Sequence, residues 1–254
     1  MSTSSIVTRS AQVLDIVCAS VAPLAFTEVV RRSGLPKSSV HRLLSILLEE
    51  QLLAHDPEDS TYAPGQRLVG WSAHVLKAGR LVDVADGPMQ TLCTHTGCHV
   101  ALSVLDGQSV LFLRTVEAGE PYRHAPGVGE RSPLHASAAG KILLAMLPEQ
   151  RQAALLQTLD LERYTEHTIT DRNHLREQVR AARDAGFAVC DREEFLQVSG
   201  LSVPIHNHLE DVVGAISLWH TGDNLDLAGL TSFLDGLREQ AGEVSLRLGY
   251  RAGS

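Results

Sequence analysis

The chain has 254 residues, 44% of them hydrophobic but only 4% aromatic, so it is long enough for two modest cores packed mainly from aliphatic side chains. Its formal charge of −8 excludes a general positive field for nucleic acid, yet the charge is uneven: residues 1–80 hold 8 Lys and Arg against 7 Asp and Glu, and the remainder 14 against 23. The start, Met1 to Ser5, lacks a basic segment followed by an apolar one, no apolar run approaches the roughly 20 residues of a membrane helix, and Cys18, Cys93, Cys98 and Cys190 form no disulfide framework, so a cytoplasmic chain with no membrane partner is expected.

In chain order, Val7, Ala11, Leu14, Cys18 and Val21 recur at three- and four-residue steps and predict one buried stripe of a first helix. A second helix is expected to start at Thr27, whose hydroxyl suits a helix start, to bury Val29 and Val30, and to stop near Gly34. Pro36 suits the opening turn of a third. At about 100° per residue, Val40, Leu43, Leu44 and Leu47 gather on one side of that helix, and Ser38, His41, Arg42 and Ser45 on the other. A tight joint between two such helices has the dimensions of a helix-turn-helix. The short Ser38 and Ser39 allow close approach to a groove, and Lys37 and Arg42 supply charge for phosphates or guanine edges. Thr27, Lys37, Ser38, Ser39, His41 and Arg42 are therefore the candidate DNA contacts, with double-stranded operator DNA as the partner. An amphipathic helix of any soluble bundle would show the same polar face, so the flanking pattern matters.

After Leu52 to Ala54, the cluster His55-Asp56-Pro57-Glu58-Asp59-Ser60 predicts a turn, and Thr61 to Ala63 resume an extended pattern. Three helices and a hairpin describe a winged helix-turn-helix over residues 1–63. The acidic tip would be repelled by phosphates, which leaves Ser60 and Thr61 as the plausible wing contacts. Residues 64–79, with Leu68, Trp71, Val75 and Leu76 apolar, read as a linker helix, and residues 80–254 as a second domain. That domain is expected to open with a helix at about Asp83 to Thr96, followed by a hairpin over His99 to Val116 that turns at Asp106-Gly107. A Gly- and Pro-rich loop, Gly119 to Pro133, leads to an apolar helix over Ala138 to Leu147. A long amphipathic helix should run from Asp171 to Gly186. Strands are expected at Phe187 to Cys190, Leu201 to Ile205 and Val212 to Trp219, and a last helix at about Leu225 to Leu248. Such irregular interleaving predicts an α+β domain around an antiparallel sheet.

The phrases GLPKSSVHRLLSILLEEQLL, YAPGQRLVGW, SPLHASAAGKILLAML, HTITD and AGFAVCDREEF stand in the order and spacing of the IclR family of bacterial transcription regulators, which the chain resembles over roughly residues 5 to 250. The resemblance implies a winged-helix domain joined by a linker helix to a GAF-like effector-binding domain, assembled as a homodimer or dimer of dimers, with no cofactor. It also implies effector-binding positions: Leu134 and His135 before the apolar helix, Asp191 after Cys190, Val198, Gly200 and Ser202 at the next strand, and Ser217 and Trp219 on the last. Where the family has a Gly-Val pair after Glu193-Glu194, this chain has Gln197-Val198. The residues themselves add Ser137, Ala138, Ala139 and Gly140 at a helix entry, where free N–H groups and the helix dipole favour an anion such as a small organic acid. The same small residues would serve a close helix-to-sheet contact equally well, and Trp219 could be ordinary core.

Two other functions are compatible with parts of the chain. A hydrolase would use Ser132 or Ser137 with His135, although no Gly-x-Ser-x-Gly elbow is present; a metabolite sensor acting on a protein partner would need no DNA contact. Cys93, His95, Cys98 and His99 have residue types that zinc accepts, but not the spacing of a common finger, so no metal is expected.

Overall fold

In the computed structural model, which describes residues 6–71, 80–119, 127–221 and 227–251, helix α1 (Ile6–Cys18) buries Val13 and Val17. The stripe expected from periodicity is not the buried one: Val7 is 72% and Val21 106% exposed, Ala11 and Cys18 are exposed, and Leu14 is half-buried. Apolar residues occur most of the way round this helix, so their spacing alone does not single out a face; the partner helices do. Helix α2 (Phe26–Ser33) begins one residue before Thr27, which is exposed on its first turn. Its cap position is Ala25, which offers no side-chain hydrogen bond, because β1 (Leu24–Ala25) is paired with Tyr62 and Thr61 and feeds the chain directly into the helix. Val29 is buried and Val30 half-buried.

Gly34, at φ 65°, ends α2 by donating its N–H to Val30 O, a left-handed conformation in which a side chain is strained. Pro36 occupies the cap of α3 (Lys37–Glu49) and lies just outside the first turn. Val40, Leu43, Leu44 and Leu47 are buried against Val13, Val17, Leu24, Val29 and Leu53. The wing is β2 (Leu53–Asp56) and β3 (Thr61–Pro64), giving a small antiparallel sheet in the order β1-β3-β2. Residues 66–71 are helical (α4). The rest of the expected linker, including Val75 and Leu76, lies outside the described residues.

The chain divides into two compact units, Met1–Gly79 and Arg80–Ser254. In the second, α5 (Arg80–Thr96) precedes the hairpin β4 (His99–Asp106) and β5 (Ser109–Val116). Part of the expected loop is the short strand β6 (Arg131–Pro133), paired with β5. Then follow α6 (Ala138–Ala145), α7 (Glu149–Thr158), α8 (Arg172–Ala185), β7 (Ala188–Asp191), β8 (Val198–His206), β9 (Val212–Thr221), α9 (Leu227–Thr231) and α10 (Leu234–Arg247). Helix α7 has no counterpart in the sequence reading; it buries only Leu156, so its apolar signal is weak. The single last helix is instead two, interrupted where the Ser232 amide bonds back to Ala228 and Gly229. Asp171 caps α8 by accepting from His174 N at 2.8 Å.

The six strands are all antiparallel, in the order β6-β5-β4-β9-β8-β7. One face carries Val100, Leu102, Leu201, Val203, Ile205, Ile216 and Leu218 under α5 and α10. The other carries the small Ala101, Ser103, Ala188, Cys190, Gly200, Ser202, Ala215 and Ser217, all buried, with Phe112 and Trp219 as large side chains on the same face, because strand side chains alternate between faces. Against this low surface lies α6, whose eight residues are buried between the sheet and α8.

The close approach is set at Gly140, where a Cβ would stand 2.5 Å from Leu134 Cα, 2.7 Å from its carbonyl carbon and nearer still to its oxygen. Backbone on both sides leaves little room to relax. Gly140→Ala is therefore expected to destabilise the second unit by about 1–3 kcal/mol, read as a lowered urea midpoint at unchanged m-value; an unchanged midpoint would refute the packing argument.

A candidate DNA-reading helix and a candidate effector cavity

Helix α3 turns Lys37, Ser38, His41 and Arg42 to solvent, with Ser39 and Ser45 half-buried. Ser45 bonds back to His41 O at 3.0 Å, and the His41 ring stands edge-on to Phe26, which steadies it at the joint with α2. The charges on the two helices are used differently. On α2, Glu28 accepts from both Arg31 and Arg32, and those two hydrogen bonds hold its carboxyl down at about 2. Among the described residues Lys37 and Arg42 have no ionic partner, so their full charge is available to an incoming anion. Thr27 is exposed near the start of α2. At the wing tip Ser60 adopts φ 52°, and Asp56 is occupied in accepting from Glu58 N.

The second unit holds a small apolar cavity between the low face of the sheet and the N-terminus of α6, with about 70 Å³ of room for solvent-sized molecules. Seven of the expected effector positions meet there: Ser137, Ala138, Ala139, Val198, Gly200, Ser217 and Trp219. Ser137 caps α6, donating to Pro133 O at 2.7 Å and accepting from Gly140 N at 3.1 Å. The next two amides, of Ala138 and Ala139, donate to no group among the described residues, and their small side chains leave them within reach of a guest. They are the unpaired donors that every helix start carries. Ser217 donates to Ser202 at 2.9 Å, and Ser202 in turn to Ile216 O, so the Ser217 oxygen keeps its acceptor capacity. Trp219 is stacked on His99 at 4.0 Å, and burial keeps that imidazole's pKa below its usual value.

Four expected positions do not line the cavity. Leu134 is fully buried beneath Gly140, and Ser202 is one layer back, behind Ser217. His135 is buried with Nε2 at 2.9 Å from Glu162 O, in the wall of a separate cleft with Leu159, Asp160 and Tyr164. Asp191 is half-exposed; its carboxyl is held low by Arg192 and then by Ser199, whose Oγ donates to it at 2.8 Å. Conversely, sequence reasoning omitted Ala101, Phe112, Ala136, Cys190, Glu194, Phe195 and Leu218, and considered Ser132 only as a nucleophile. The alternation of β4 and β5 could have supplied Ala101 and Phe112. Glu194 and Phe195 come from a loop, where no periodicity marks an inward side chain.

That loop follows β7 and is tightly held. Arg192 sits at φ 57°, a left-handed conformation costly for a side chain. The next residue, Glu193, accepts from Lys141 Nζ at 2.6 Å in a buried ion pair with α6. Thr168 donates to Glu193 O at 2.6 Å and Thr165 to Arg192 O at 2.7 Å. So fixed, the loop delivers Glu194 to the cavity, where Ser132 donates to its carboxyl and burial raises its pKa to about 7 against that hydrogen bond. Cys190 is pushed up to about 12 by burial and donates to Ala136 O, which makes it an inert wall.

Ser137 of the hydrolase alternative is not placed for attack. Ser137 is a helix cap, and His135 points its Nε2 at a carbonyl. Cys93, His95, Cys98 and His99 do not converge: His95 bonds to Thr91 O, Cys98 is buried, and His99 stacks on Trp219. Among the described residues no helix is long and apolar enough to cross a membrane.

Comparison with known proteins agrees with both halves. Residues 6–57 match the family model for the IclR helix-turn-helix domain, and residues 73–246 the model for the bacterial transcriptional regulator IclR C-terminal region. The chain is 30% identical over 246 residues to the HTH-type transcriptional regulator XynR of Escherichia coli, covering 97% of this chain and 98% of the relative. It is 27% identical over 244 residues to the transcriptional repressor IclR of the same organism, covering 95% and 89%. Among solved structures, an IclR homologue from Microbacterium hydrocarbonoxydans complexed with 4-hydroxybenzoate is similar with TM-score 0.85 and 26% identity, covering 96% of this chain and 99% of that one.

The buried pair at the cavity rim gives a direct test. Lys141→Met leaves Glu193 without its counter-charge and is expected to cost about 3–5 kcal/mol, measured by urea unfolding. The double variant Lys141→Met/Glu193→Leu should recover most of that loss, and equal loss in both would show that the charges are not what matters.

Proposed function

As this chain belongs to the IclR family of bacterial transcription regulators, we propose that its affinity for operator DNA is set by a small organic acid held in the cavity of the second unit. It is a DNA-binding regulator and not an enzyme. The domain assignment that goes with this reading is a winged helix over residues 1–63, a linker helix over 64–79 and an effector domain over 80–254. The observation that carries the DNA reading is the face of α3: Ser38, His41 and Arg42 stand free over a helix whose opposite side is locked into the core. Two copies would lay two such helices into successive major grooves of a near-palindrome, with half-sites about one helical turn apart. Thr27, Lys37 and Ser39 take the flanking contacts.

The acid reading is supported by the two spare amides of Ala138 and Ala139 at the positive end of α6. The apolar wall of Phe112, Val198 and Trp219 favours an unsaturated body, and the 4-hydroxybenzoate of the Microbacterium relative is an acid of that kind. A ligand of this sort controls DNA affinity only through a preference for one arrangement of the assembled chains. The assembly is a homodimer or a dimer of dimers, working in the cytoplasm.

Arg42→Glu should weaken binding to an operator fragment by at least the roughly 1–3 kcal/mol of one good base or phosphate contact, followed by fluorescence anisotropy. Unchanged affinity would favour a sensor that acts on a protein partner. Gly200→Val tests the cavity. A Cβ at Gly200 meets only ordinary contacts, Ala138 Cβ at 3.7 Å and Trp219 Cβ at 3.8 Å, so the variant should fold while its branches occupy the space. Pyruvate, benzoate, 4-hydroxybenzoate and phenylacetate are the probes. Those that raise the wild-type melting temperature should leave that of Gly200→Val unmoved, with operator binding retained; an equal shift in both would place the ligand elsewhere.

A further inference from the structure

The described residues that line the cavity include no basic side chain, and their ionisable groups are Cys190 and Glu194. Lys141 is near, but its ammonium is committed to Glu193. An acid bound here therefore meets the partial positive charge of a helix end and, in the same small space, a second carboxyl group. Two carboxylates in one desolvated site do not both stay ionised.

We propose that Glu194 sets which ligands the cavity accepts: in its neutral form it shares the cavity with the carboxylate of a singly charged, apolar-bodied acid, so that on the alkaline side of neutrality each acid bound brings close to one proton in from solvent. This rests on the acid reading above and adds to it a residue, a charge state and a sign. The geometry is that of a group held in place: Glu194 follows the buried Glu193 and the strained Arg192, and lines the cavity together with Ser132 of β6. Its pKa of about 7, raised by burial, makes the neutral form accessible near neutrality.

The other charged or titratable groups packed around it have their own partners or stay neutral. On β7, Cys190 is a thiol far above its usual range, and Asp191 is paired with Arg192. On α6, Lys141 is paired with Glu193. On β6, Arg131 is paired with Asp106. From the segment after α7, Tyr164 bonds Glu162, with Asp160 beside it; burial, and then the acidic neighbours, raise the pKa of the Tyr164 phenol. His135 faces Glu162 O, and His99 lies behind Trp219 with His220 close by.

The sign follows directly. If the acid binds only the form with Glu194 protonated, apparent affinity is the intrinsic affinity times the protonated fraction. That fraction is nearly full at pH 6 and roughly one tenth at pH 8 for a group titrating at about 7. An ionised Glu194 selecting an amine would give the opposite slope.

The test is isothermal titration of the full-length protein with the tightest binder among benzoate, 4-hydroxybenzoate and phenylacetate at pH 6, 7 and 8, in two buffers of different ionisation enthalpy, for wild type and Glu194→Gln. Wild type should lose about tenfold in affinity from pH 6 to pH 8 and take up close to one proton at the upper end. Glu194→Gln, a neutral mimic of the protonated side chain, should bind with no proton uptake and at pH 8 about tenfold more tightly than wild type. Binding that is flat with pH in wild type, or that keeps the same slope in Glu194→Gln, overturns the proposal and leaves the acid reading standing. If none of the acids binds wild type at pH 6 and benzylamine binds at pH 8 instead, the acid reading itself falls.

Discussion

The ion pair between Lys141 and Glu193 is the interaction on which the candidate effector site depends. It joins the middle of a buried helix to a loop that has no regular structure of its own, across 52 residues of sequence, with both side chains withdrawn from water. Desolvating two charges is costly, and a hydrophobic pair of the same size would often be more stable. A hydrophobic pair would not fix direction, however. Glu193 must point towards α6 for Glu194 to point into the cavity, and the ion pair selects that arrangement over its alternatives. Arg192 in a left-handed conformation and the two threonine hydroxyls that bond the carbonyls of Arg192 and Glu193 are consistent with a loop fixed from several sides.

The cavity is also a consequence of small side chains on two opposing surfaces. One face of the sheet presents Ala101, Gly200, Ala215 and Ser217 where its other face presents Leu102, Leu201, Ile216 and Leu218. Helix α6 answers with Ala138, Ala139 and Gly140. Small residues on both sides bring the backbones together, which Gly140 against Leu134 shows directly. Where the helix begins, its axis ends while the sheet continues, and the uncovered strip of sheet becomes the cavity floor. The two readings of the small-residue stretch, tight contact and ligand pocket, thus describe consecutive parts of one feature. Gly140 serves the contact, and Ala138 and Ala139 border the space.

How much of this could be read from sequence depends on how local the cause is. The faces of α3, the left-handed stop at Gly34, the turn at Gly107 and the cap at Asp171 each arise within one or two turns of chain, and the residues that announce them are the residues that form them. The buried face of α1 is not legible in this way, because several of its faces are apolar and only distant partners choose among them. Strands β1 and β6 are hidden for a related reason: two or three residues carry no period, and their pairing with β3 and β5 is decided elsewhere in the chain. The same division runs through the site. Ser137, Ala138 and Ala139 are legible from a helix start, whereas Ser217 and Trp219 come from the family resemblance, with strand alternation placing them on one face. Glu194 and Phe195 enter through a loop whose path is set by Lys141, Thr165 and Thr168.

The donors available to an acid also bear on the strength with which it can be held. A helix terminus acts as roughly half a positive charge, worth up to about 2 kcal/mol in a partly buried setting. A free lysine in the same place would supply a full charge, and here the nearby lysine is spent on structure. The same economy appears on α2 and α3 of the other unit, where Arg31 and Arg32 are held by Glu28 and Lys37 and Arg42 face solvent without an ionic partner among the described residues. On the proposed function, neither ligand would bind through a single dominant attraction. Affinity for DNA would then come from two copies engaging together, and affinity for an acid from apolar contact with Phe112, Val198 and Trp219 added to two amides. Each would be a sum of modest terms, and a coupling of the usual 1–3 kcal/mol between sites would be a large enough fraction of the whole to switch it.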